Sequence, residues 1–71
     1  MRKSSKYHGK WTSDRSDLVL RVINVRHIYD NGVVIVKYKL YNKRNGIVYE
    51  VGTTKLRPEF FKENYKVSIY D

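Results

Sequence analysis

Residues 33–46 read Val-Val-Ile-Val-Lys-Tyr-Lys-Leu-Tyr-Asn-Lys-Arg-Asn-Gly, and no other stretch limits the fold as strongly. The β-branched run reads as a strand. Successive strand side chains point to opposite faces. Val34, Val36, Tyr38 and Leu40 therefore share one face, which reads as core. Lys37, Lys39, Tyr41 and Lys43 share the other. One strand thus carries an apolar stripe and a basic stripe with an aromatic ring in it.

The preceding segment, Leu18 to Tyr29, is a second long strand rich in β-branched residues. Leu18, Leu20 and Val22 keep one parity, whereas Ile23 and Val25 keep the other. That slip near Ile23-Asn24 predicts a β-bulge, which bends a strand and helps a small sheet curl; the alternative, a strand buried on both faces, fits less well with Arg21 and Arg26 inside it. Asp30-Asn31-Gly32 joins the two strands as a turn, since Asn and Gly tolerate positive φ.

Lys43-Arg44-Asn45-Gly46 is the next turn, and the apolar pattern predicts its parity. A loop of even length puts Ile47, Tyr49 and Val51 on the face of Tyr38 and Leu40. An odd one puts them with the lysines. Burial favours the even loop, which also places Glu50 beside Lys39 or Tyr41. Beyond Gly52, Pro58 at a first helical position, followed by Glu59 and Phe60-Phe61, predicts one or two helical turns to about Asn64. Phe61 would pack under the sheet with Leu56, and Tyr65 would join them. Tyr65 to Tyr70 alternates again and reads as a short closing strand.

The first 17 residues are polar and basic, and read as a largely flexible arm ahead of one β domain over residues 18–71. Tyr7 and Trp11 are the exceptions. A lone Trp in a chain of 71 residues is more often a core plug than a ligand platform. Tyr7 to Trp11 would then be a short first strand or a loop closing one end of the core.

The expected fold is mainly β: a small, partly open barrel of four or five strands with a helical turn before the last. This order resembles an SH3-like barrel. More narrowly, Leu56-Arg57-Pro58-Glu59-Phe60-Phe61-Lys62-Glu63-Asn64-Tyr65-Lys66-Val67 resembles the end of several small phage and prophage proteins of that fold. The likeness implies fold before activity. Beyond the fold it implies a phage accessory protein acting on nucleic acid or on a host protein. It carries over no functional residue.

Several chemistries find no support. With no Cys there is no disulfide or thiolate metal site. His8 and His27 are isolated, and the acids are scattered, so no metal or other cofactor is expected. Glu59 and Glu63, four apart, read as solvated helix charge. No Gly-rich phosphate loop and no paired acid and base are present, and the chain is not expected to be an enzyme. No apolar run of about 18 residues and no signal-peptide pattern occur, so a soluble cytoplasmic protein without a membrane partner is expected. For a phage protein that means the host cytoplasm.

Charge points to a partner. Net charge is +8, from 15 Lys and Arg against 7 Asp and Glu. Residues 33–46 hold four cations and no acid, while residues 47–71 balance. Such a footprint suits nucleic acid. Lys37, Lys39 and Lys43 recur along one strand face at about 7 Å per two residues. They could follow a phosphate backbone while Tyr41 stacks on a base. Arg44 at the turn, and Arg21 or Arg26 on the neighbouring strand, would widen the patch. The plain alternative is a solvated strand face, in which lysines deter edge-to-edge aggregation. Seven tyrosines also suit a protein interface, so an acidic host protein is the second candidate partner. Completion of a marginal core in a homo-oligomer is a third arrangement.

Overall fold

The computed structural model describes residues 6–67, which build one antiparallel sheet. The strands are β1 (Gly9–Thr12), β2 (Leu18–Ile28), β3 (Val34–Asn42), β4 (Val48–Leu56) and β5 (Tyr65–Lys66). A short helix, α1 (Pro58–Glu63), precedes the last of them. Their order in space is β4-β3-β2-β1-β5. Among the described residues the sheet does not close, and the fold is mainly β and open, with the short helix before the last strand, as expected.

The bent strand bends more than expected. β2 carries two register shifts against β3, one at Ile23 and a second at Arg26. Between them, Val22 faces Tyr38, Val25 faces Val36 and Ile28 faces Val34. Residues three apart therefore reach the same face, which explains the broken alternation in the sequence. Each bulge also increases the local twist, and the curled sheet wraps one core. Val34 and Val36 are fully enclosed there, with Val22, Tyr38 and Leu56 around them.

The start of the chain belongs to the sheet. Gly9–Thr12 pair with β2, so of the two readings of Tyr7 to Trp11 it is the short first strand that forms. Trp11 is a core plug, as its rarity suggested. Its ring lies 4.8 Å from Phe61 and 6.2 Å from Phe60, and its indole N–H donates to the Tyr7 carbonyl at 2.9 Å. Helix α1 thus closes one end of the core through both phenylalanines. Its first residue, Pro58, rests on Gly32 in the β2–β3 turn, where φ is +92°.

The β3–β4 hairpin corrects the parity argument. Its loop is the four-residue Lys43–Gly46: Asn42 N–H donates to the Ile47 carbonyl at 2.9 Å, and Gly46 takes φ +75°. The Asn42 side chain accepts from the Arg44 amide, and that of Asn45 from the Ile47 amide. The loop is even, as predicted. One step further, however, Tyr41 faces Val48 while Leu40 faces Glu50. Tyr49 is an extra residue, a bulge that reverses the parity of all that follows. Val51 consequently lies opposite Lys39, and Glu50, Gly52 and Leu56 take the core side opposite Leu40, Tyr38 and Val34. The exposure of Tyr49 and Val51, each above half, follows from this shift.

Tyr65 also departs from expectation. It stays exposed and donates its hydroxyl to Asp14 at 2.8 Å rather than joining Phe61. The remainder of the predicted closing strand, Ser68 to Tyr70, lies outside the described residues.

Candidate nucleic-acid interface

The ladder registers place basic residues of separate strands side by side. Lys10 on β1 faces Arg21 on β2, and Arg21 faces Lys39 on β3. Directly opposed residues have Cβ atoms about 4.5–5.5 Å apart. Three cations therefore form a row across the sheet. Lys37 lies one step along the same face of β3, flanked by Asn24 and Thr53. Tyr41 lies one step the other way, between Val19 and Val48. The Lys39 ammonium sits 5.9 Å from the centre of the Tyr41 ring.

No carboxylate shares this face within the described strands. Glu50, expected beside the lysines, is the only acid in those strands, and the Tyr49 bulge turns it to the core side. There it accepts a hydrogen bond from the Tyr38 hydroxyl. That bond, then desolvation and the nearby negative charge, raises the Tyr38 pKa above its ordinary 10.0. Tyr65 is shifted the same way by its bond to Asp14. Among the described residues, both phenols stay protonated at neutral pH and hold carboxylates by hydrogen bonds.

Two depressions occupy opposite ends of this face. One, of about 390 Å³, has Val19, Tyr41 and Tyr65 in its walls and Lys10 and Lys43 among its lining residues. The other, of about 370 Å³, is lined by Tyr29, Asn31, Val33, Lys55 and Arg57. Tyr29 pairs with Val33 through a 2.8 Å backbone bond and stacks edge-on against His27 at 4.3 Å.

The predicted site residues divide accordingly. Lys37, Lys39, Tyr41, Lys43 and Arg21 come together on one face. Arg44 remains at the hairpin tip, 3.3 Å from Asp17, with both side chains well exposed. Arg26 occupies the second β2 bulge, outside the ladder. Lys10, Lys55, Arg57 and Tyr29 were missed. Lys10 sat in a segment read as an arm, and Lys55 could be placed only once the Tyr49 bulge was known.

Comparison of the chain with protein-family models, curated proteins and solved structures gives no match.

Proposed function

We propose that this protein binds nucleic acid without catalysis, chiefly through phosphates and with little sequence preference. The observation that carries this reading is the Lys10–Arg21–Lys39 row. Lysines that guard a sheet belong on its edge, but β3 is an interior strand, between β4 and β2. Like charges facing each other across a ladder oppose folding, and a polyanion laid along the row lowers that repulsion. Lys10 and Arg21 are also engaged within the protein. The likeness of the closing segment to small phage proteins fits an accessory role of this kind.

Salt dependence tests the mechanism. Five phosphate contacts, from Lys10, Arg21, Lys37, Lys39 and Lys43, give a log–log salt slope of about −4.5 on duplex DNA and −3.5 on a single strand. Replacing Lys37→Glu and Lys39→Glu together should flatten that slope by at least about 1.4. The fold should survive, because neither side chain is buried. Affinity that does not change between low and moderate salt refutes phosphate-led binding.

The exposed Val48, Tyr49 and Val51 on edge strand β4, with exposed Ile47 just before it, favour a second reading, a protein partner that adds a strand there. Its signature is a stoichiometric complex recovered equally from nuclease-treated and untreated lysates.

A further inference from the structure

We infer that the nucleic acid taken by this face is single-stranded, held at two base-stacking stations joined by the lysine-bearing strand β3. The inference rests on the nucleic-acid reading above and adds the form of the ligand.

The stations are the two depressions at opposite ends of the face. Each pairs tyrosine with two cations: Tyr41 and Tyr65 with Lys10 and Lys43, and Tyr29 with Lys55 and Arg57. Each volume lies within the range of small-ligand pockets. A base stacked on the ring, with its phosphate on the flanking cations, uses both kinds of side chain together. Stacking also tolerates any base, because every base has a π-face. Both tyrosines can do this. Tyr29 is 48% exposed, and Tyr41 keeps part of its surface open.

Duplex DNA uses such a surface poorly. Its bases are paired and stacked internally, so a sheet face meets phosphates and sugars. The apolar positions of the same face, Val48 and Val51 beside Tyr41 and Lys39, would gain nothing from those groups. Unpaired bases can cover them.

The spacing sets a length. From Val33, opposite Tyr29, to Tyr41 is eight residues of strand, about 26 Å at 3.3 Å per residue. At a stacked rise of about 3.4 Å per nucleotide this spans about eight nucleotides, and fewer if the strand is extended. Lys37 and Lys39 lie between the stations, where the connecting phosphates pass.

Fluorescence anisotropy with labelled oligothymidylates of about 4 and 12 nucleotides, and with a duplex of about 12 base pairs, tests this. The full chain is compared with Tyr29→Ala, Tyr41→Leu and the double variant. Leu keeps apolar volume at the half-buried position 41, and a thermal melt confirms that each variant is folded. The longer single strand should bind more tightly than the duplex. Each single variant should weaken it by about 5- to 100-fold while leaving the salt slope unchanged. The short oligonucleotide reaches only one station at a time, so single variants should change its affinity by about twofold or less, and the double variant far more. Equal affinity for single strand and duplex, with no effect of either Tyr variant, overturns the two stations. If the Lys37→Glu, Lys39→Glu protein still loses affinity for both ligands, phosphate-led binding stands. If no nucleic acid binds, both readings fall.

Discussion

Substituting Gly32→Ala tests how helix α1 is seated, and its cost can be worked from the geometry. Gly32 has φ +92°, and a Cβ built there would lie 2.9 Å from Cγ of Pro58. Two penalties follow. A side chain at positive φ costs roughly 1–2 kcal/mol. Forcing a methyl group against the Pro58 ring adds about 1–3 kcal/mol, as overpacking does elsewhere. Gly46 supplies the control. Its φ is +75°, and a Cβ there would meet nothing within 4 Å. Gly46→Ala should therefore show the conformational penalty alone. The difference between the two variants, about 1–3 kcal/mol, corresponds to roughly 4–24 °C in midpoint for a domain of this size. Urea unfolding followed by Trp11 fluorescence measures both. A Pro58→Ala background removes Cγ and leaves Cβ, which is 3.8 Å from the built position and in ordinary contact. There Gly32→Ala should cost no more than Gly46→Ala, giving a coupling of about 1–3 kcal/mol. Equal losses for the two glycine variants in the natural background, or strict additivity with Pro58→Ala, would refute the seating of α1 on this turn. The test bears on function as well, because the Tyr29, Lys55 and Arg57 depression lies at the same junction.

Val36→Asp should abolish cooperative unfolding in calorimetry, because Val36 is wholly enclosed. An unpaired charge there exceeds the few kcal/mol that hold a chain of this size. Stability should fall in alkali. Tyr38 and Tyr65 have folded pKa values raised above 10.0, so their contribution is complete below pH 10 and is lost as pH rises through the raised values. Urea midpoints across that window measure the loss, and Glu50→Gln should shrink the Tyr38 part; a midpoint flat through it contradicts the assignment. Deleting Tyr49 should leave a folded protein, since Tyr41–Val48 and Leu40–Glu50 then become consecutive pairs of a regular ladder. Deleting Val51 should be far more damaging, because Glu50 then cannot stay opposite Leu40 while Gly52 to Leu56 stay opposite Tyr38 to Val34; equal melting midpoints for the two deletions would sink the bulge argument.

Much of the fold could be read from local signals. Asn31-Gly32 and Asn45-Gly46 mark the β2–β3 and β3–β4 turns because positive φ is needed there. Pro58 marks the first helical residue because its missing N–H has no partner to lose. The slip at Ile23 announces a bulge because Arg21 and Arg26 in the same strand argue against burial on both faces, the other way alternation breaks. The lysine face of β3 was legible for the same reason. Its meaning was not, because an alternating lysine strand looks alike on an edge and in the interior of a sheet.

The residues by themselves determined the strands, the turns, the helical turn and which side of β3 is basic, since each depends on neighbours within a few positions. Tertiary structure decided the rest. The Tyr49 bulge has no local signature. It follows from the burial of Leu56 opposite Val34, the bond from Tyr38 to Glu50 and the pairing of Tyr38 with Gly52, all made across strands. That single extra residue takes the acid off the basic face and sets Val51 beside Lys39. The alignment of Lys10 and Arg21 with Lys39 is likewise a matter of register between strands far apart in the chain. Register is settled by what the core can bury, and only the folded sheet reveals it.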